Sequence, residues 1–273
     1  MPQTDCWLTD ETVLRELSSF FSDVDQEFSR FYEEQYDTSE TALDGALGTY
    51  LRSSKLLRLP LSRINHARSR TGRSSLHIDF RHITRTERTH GADIGLLLHL
   101  AVPNEQVLQK AVLVQSKRLY PDRNQEFTEH CHYPEIFGDR VPGESVEGKL
   151  EPQWKRMLNI SPSSVYLLYG SEKFSYRNNF PNLGTRVIPA QRIAGIFASS
   201  TNRRGFTAYD AYQMAKPFSQ WMVENFICCS VGDTNELVIN TALGRNADFP
   251  VKSSLEVLIS TDRNQLELDL WSQ

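Results

Sequence analysis

Four polar residues stand where chemistry could use them: Glu40, Asp93, Gln115 and Lys117. Asp93 opens an apolar run (Ile94, Leu96, Leu97, Leu98, Leu100), Pro103-Asn104 marks a turn, and a second run follows at Ala111, Val112, Leu113 and Val114. Short runs of branched aliphatics around a turn signal predict a β-hairpin. The antiparallel return brings Gln115 and Lys117 back to the end where Asp93 sits. A carboxylate, an amide and an ammonium at the rim of an apolar sheet are expensive to bury without a task. Hard divalent cations such as Mg²⁺ take oxygen ligands of this kind. Asp93 would be a direct ligand, with the Gln115 side-chain oxygen and the main-chain carbonyl of Ser116 completing the protein's share. Lys117 would orient a metal-bound water or favour its deprotonated form, and Glu40 would support a second ion or position the first. Such an assembly would hydrolyse a phosphodiester. Taken singly, Asp93 also suits a strand-end ion pair, Gln115 a satisfied amide and Lys117 a solvated terminus.

These residues need elements to hold them. Over residues 38–52 the apolar positions Ala42, Leu43, Ala46, Leu47, Tyr50 and Leu51 repeat at helical spacing, and Glu40 lies three residues before Leu43. Glu40 therefore follows the core face, although a first-turn acid favouring the helix dipole behind a Thr38 or Ser39 cap is an equal reading. Residues 10–36 form one or two amphipathic helices. Leu76, Ile78 and Phe80 alternate with His77, Asp79 and Arg81, which predicts a strand with one wet face. After Lys117, residues 120–148 form a long loop with a short helix at 125–132, in which His130, Cys131 and His132 do not share a face. A helix at 151–159 and a buried strand at 163–169 follow, with Gln153 and Tyr169 placed to line the site. Further on come a strand at 192–197, a helix over 207–229 broken at Pro217, and a last strand at 255–259.

At 273 residues and 39% hydrophobic, the chain can bury a large core as one domain or two. Four cysteines show no CxxC spacing, which argues against a zinc ribbon or redox pair, and Cys228-Cys229 are expected to be buried thiols. No run of 18 apolar residues and no basic-apolar leader is present, which leaves no membrane contact and a cytoplasmic location as the expectation. Net charge is −4, unevenly spread. Residues 1–50 carry twelve Asp or Glu against Arg15 and Arg30, whereas residues 52–88 hold nine Arg and Lys55 against Asp79 and Glu87. That basic stretch suits a polyanion, or a solvated loop balancing the acidic helices.

The GAD followed by an aliphatic strand, and the VLVQSK after it, resemble the core of the PD-(D/E)xK superfamily. The similarity is to the variant in which Gln replaces the acid of the third motif, as in Mrr-like restriction enzymes and the nuclease domains of bacterial anti-phage effectors. The resemblance implies Asp93 and Gln115 as metal ligands, Lys117 as the catalytic lysine and Glu40 as the upstream helix acid. The order helix, strand, hairpin, helix, strand gives an α/β mixed β-sheet flanked by α-helices, which the resemblance, carried by residues 38–117, makes restriction-endonuclease-like. The expected division is an N-terminal helical segment (1–37), a nuclease-like core (38–170) and a C-terminal α/β extension (171–273) packed on it, or all three as one domain. The expected activity is Mg²⁺- or Mn²⁺-dependent endonucleolytic hydrolysis of DNA in defence against phage or foreign DNA. Arg63, Arg68, Arg70, Arg73, Arg85 and Arg88 would meet backbone phosphates, and a regulatory protein or a second copy would be a further partner. The alternative is a weak or inactive module of the same fold that binds nucleic acid or a protein.

Overall fold

A computed structural model describes residues 11–35, 37–52, 75–83, 92–101, 108–120, 131–133, 136, 153–170, 183–199, 206–228 and 230–260. The expected turn at Pro103-Asn104 and the six arginines expected to meet phosphates, Arg63, Arg68, Arg70, Arg73, Arg85 and Arg88, lie outside them, as does His130. Two helices open the chain, α1 (Glu11–Glu34) and α2 (Glu40–Arg52). The first three strands are β1 (Ser75–His82), β2 (Ile94–Ala101) and β3 (Leu108–Arg118), followed by β4 (His132–Tyr133). Then come α3 (Gln153–Ile160), β5 (Val165–Tyr169), β6 (Arg186–Pro189) and α4 (Ala190–Ser199). After β7 (Phe206–Thr207), α5 (Ala208–Met214) and β8 (Lys216–Pro217), a short α6 (Phe218–Trp221) continues as a π-helical turn, Met222–Ile227. The last elements are α7 (Glu236–Ala242) and β9 (Ser253–Ser260).

The fold is mixed α/β, a seven-stranded sheet ordered β1-β9-β2-β3-β5-β6-β8 with helices on its faces. The hairpin forms as expected, with Ile94 opposite Val114 and Leu97 opposite Ala111. Parallel β3 and β5 cannot be joined by a tight turn, and α3 lies in the connection between them. Residues after 171 supply β6, β8 and β9 to this same sheet, and β9 lies inside it, antiparallel to β1 and parallel to β2.

Alternation along the strands sorts two cores. Val112, Val114, Leu167, Tyr169, Leu255 and Val257 face α1, α2 and α6, where Phe20, Phe21, Phe28, Leu43 and Leu47 are buried. Leu97, Ala111, Leu113, Tyr166 and Leu168 face the other way, onto Met157 of α3, Ile193 of α4 and Val238 and Ala242 of α7. A sheet covered on both faces explains why its central strands read as continuous apolar runs.

Three local expectations are corrected. Residues 192–197 belong to helix α4 and not to a strand, because Ala190 and Ile193 recur at i, i+3 and turn one face into the second core. The strand sits just before it, at Arg186–Pro189. His132 is not at a helix end but pairs with Thr207 in the small β4-β7 sheet. Cys228 is disulfide-bonded, whereas Cys131 is a buried thiol outside any disulfide. The helix broken at Pro217 divides as the proline requires, since β8 ends there and α6 begins on the next residue.

Gly95 lets α7 lie against β2. A Cβ there would stand 2.1 Å from the Ala242 carbonyl oxygen and 2.4 Å from the Ala242 Cα, neither of which can rotate aside. Gly95→Ala should therefore lower stability by about 1–3 kcal/mol in urea denaturation. Gly195 lies within α4 with nothing within 4 Å of such a Cβ, and Gly195→Ala should raise stability by roughly 0.5–1 kcal/mol.

Candidate functional site

Asp93 is placed by backbone before its side chain does anything. Its N–H donates to the Val114 carbonyl at 2.9 Å, and its own carbonyl accepts from the Lys252 and Ser253 N–H groups, both at 3.0 Å. The residue thus joins β2 to β3 on one side and to β9 on the other. Its carboxylate is buried, and the Oδ2 oxygen accepts from the Ser116 N–H at 3.0 Å, from the Ser116 hydroxyl at 3.1 Å and from the Gln115 amide. Oδ1 meets the Lys252 ammonium at 2.9 Å.

Alternation on β3 puts Ser116 on the face of Val112 and Val114, toward α2, and puts Gln115 and Lys117 on the face of Leu113. Glu40, in the first turn of α2, reaches the end of this strand. Its Oε2 accepts from Lys117 Nζ at 3.2 Å and its Oε1 from the Arg118 N–H at 3.3 Å. Arg118 in turn donates to the Thr38 carbonyl at 2.7 Å, which ties the start of the helix to the strand. Ser39 supplies the cap, its hydroxyl accepting from the Ala42 N–H at 3.3 Å. Glu40 is thus both a first-turn acid and a partner of Lys117, so the two readings of this residue coexist. Burial, and after it the Asp93 charge, raises the Glu40 pKa against the lowering effect of Lys117.

Asp44, one turn along α2 from Glu40, is fully buried, and Tyr169 donates to its Oδ1 at 2.6 Å. Burial, followed by the charge of Asp93, pushes its pKa up to about 8, opposed by the Tyr169 and Ser116 hydroxyls. Asp44 Oδ2 and Gln115 Oε1 are buried without a hydrogen-bond partner, an expensive condition for polar atoms unless something else claims them. The Gln153 side-chain oxygen, at the start of α3, shares that condition. Among the described residues, no group of three or more His, Cys, Asp and Glu is gathered tightly enough to hold a metal ion by itself. Any cation here would need mixed donors: a carboxylate, an amide oxygen and a main-chain carbonyl.

The sequence-predicted set of Glu40, Asp93, Gln115, Ser116 and Lys117 therefore comes together at one end of β2 and β3. Tyr169 joins it through Asp44. Asp44 and Lys252 were missed. Asp44 carried a usable signal, its i+4 spacing from Glu40 on the same helical face. Lys252 carried none, because only the insertion of β9 beside β2 brings it to Asp93. Half-burial works to lower its pKa, but Asp93, with Asp44 and Glu40 behind it, raises it. Of the basic stretch, Arg52 pairs with Asp79 at 3.2 Å, and Arg81 pairs with Asp79 at 2.7 Å and Glu256 at 3.8 Å.

The raised Asp44 pKa has a defined sign. Folding keeps a proton that the unfolded chain releases above about pH 4, so stability should fall as pH rises from there toward about 8. Asp44→Asn keeps an acceptor for Tyr169 and removes the charge. Its urea midpoint in EDTA should change much less than the wild type's between about pH 5 and about pH 9. No family model matches the chain, and no curated protein or solved structure matches it either.

Proposed function

We propose that the chain is a Mg²⁺-dependent endonuclease that hydrolyses DNA phosphodiester bonds. The observation that carries this reading is the meeting of Asp93, Gln115 and Ser116 with the Glu40–Lys117 ion pair at one end of adjoining strands. The donors suit a hard cation. Asp93 Oδ1, the partnerless Gln115 Oε1 and the Ser116 carbonyl would hold it, all three being oxygens. When bound, such an ion supplies charge neutralisation at the scissile phosphate and a water of lowered pKa.

The chain's own groups would divide the remaining work. Lys117, only 2% exposed at its side chain, is held by Glu40 and would present a fixed ammonium toward the attacking water. Glu40 keeps that ammonium in place. The Ser116 N–H and hydroxyl orient Asp93 by filling its Oδ2. Arg63, Arg68, Arg70, Arg73, Arg85 and Arg88 would grip neighbouring phosphates. A role in defence against foreign DNA, with a regulatory partner or a second copy, rests on the sequence resemblance alone. Among the described residues, no helix is long and apolar enough to cross a membrane.

One observation favours a second reading, a weak or inactive module of the same fold that binds nucleic acid or protein. Gln115 is neutral and Asp93 already has the Lys252 ammonium at 2.9 Å, so the site attracts a cation less than a pair of free carboxylates would.

Plasmid cleavage in Mg²⁺ separates the two. Lys117→Ala should reduce the cleavage rate by about 10²–10⁴-fold, and Asp93→Ala should abolish it. Cleavage that survives both substitutions would refute the site, and DNA binding without cleavage in Mg²⁺ or Mn²⁺ would select the second reading.

A further inference from the structure

The two oxygens of Asp93 are unequally committed. Oδ2 receives the Ser116 N–H, the Ser116 hydroxyl and the Gln115 amide, which exhausts the directions an sp² oxygen offers to partners. Oδ1 faces Lys252 Nζ at 2.9 Å. A cation that takes Asp93 as a ligand must therefore approach Oδ1, the oxygen that Lys252 holds.

We propose that Lys252 is an exchangeable positioning residue of this site, which neutralises Asp93 Oδ1 until a divalent cation takes that oxygen and then turns its ammonium to a phosphate of the bound strand. The inference rests on the metal-dependent reading above. Three observations support it. The Lys252 side chain is 43% exposed, whereas that of Lys117 is 2% exposed, so Lys252 has room to swing. Its further hydrogen bond is a long one, to Thr41 Oγ1 at 3.4 Å, and a flexible four-carbon stem lets the ammonium move without the backbone. The strand order β9-β2-β3 puts Lys252, just before β9, and Lys117, near the end of β3, on opposite flanks of Asp93. One flank holds its lysine fixed beside Glu40. The other offers a mobile one, the kind of cation that can follow a phosphate.

The test compares Mn²⁺ binding to the full chain, followed by electron paramagnetic resonance, in the wild type, Lys252→Met and Asp93→Asn. Methionine keeps an apolar stem of similar length, and Lys252→Gln serves if that variant does not fold. Removing the competing ammonium should tighten Mn²⁺ binding roughly fivefold, the worth of a partly exposed ion pair. With Ca²⁺ in place of Mg²⁺, Lys252→Met should weaken binding of a DNA duplex and reduce its salt slope by about one. Lys252→Arg, which keeps the charge, should bind DNA as the wild type does. A purely structural ion pair would leave the salt slope unchanged. Mn²⁺ binding that is lost in Asp93→Asn but unchanged or weaker in Lys252→Met would overturn the exchange and leave the metal site standing. Failure of both the wild type and Lys252→Met to bind Mn²⁺ would overturn the metal reading and this inference together. Unaltered DNA affinity in Lys252→Met would overturn the phosphate contact.

Discussion

The burial of one negative charge, the Asp93 carboxylate, is the constraint on which the rest of the site depends. An ionised carboxylate in a sheet interior is tolerable only when its oxygens are paired. Asp93 meets that requirement with donors from both neighbouring strands: Ser116 and Gln115 from β3, and Lys252 from the residue before β9. The same residue also carries the backbone bonds that set the register of the three strands, through Val114, Lys252 and Ser253. Register and charge compensation are therefore one problem. A slip of one residue in either pairing would move the donors to the wrong face and leave the carboxylate buried alone.

Around that charge the chain gathers two further carboxyl groups, Glu40 and Asp44, beside the ammonium groups of Lys117 and Lys252. Glu40 and Asp44 lie one turn apart on α2; burial and then the Asp93 charge raise the pKa of both, and Glu40 adds to the rise at Asp44. Gly48, a further turn along, would bring a Cβ within 2.3 Å of the Phe80 ring. Its lack of a side chain lets α2 lie against β1 at Phe80.

How much of this was legible from residues alone varied with the range of the interaction. The hairpin was readable because its apolar runs and turn are local, and α2 because its apolar positions keep a helical period. Residues 192–197 were misread as a strand. A short apolar run is compatible with both elements, and only the packing of Ala190 and Ile193 against the second core distinguishes them. Asp44 was overlooked since an acid on an amphipathic helix ordinarily faces water. Its burial follows from the placement of Tyr169, which the β3-α3-β5 crossover delivers.

By itself, then, the sequence determined a helix bearing Glu40 and a hairpin with Asp93 on one strand and Gln115, Ser116 and Lys117 on the other, all at the same end. These follow from periodicity and turn chemistry within a few dozen residues. Only the tertiary structure decided that β9 enters the sheet between β1 and β2, that Lys252 consequently faces Asp93, and that Asp44 is buried beside them with its pKa pushed up. The reason is physical: strand pairing between distant segments is chosen by the fit of whole faces and by the charge that each pairing would bury, and neither quantity exists until the chain has folded.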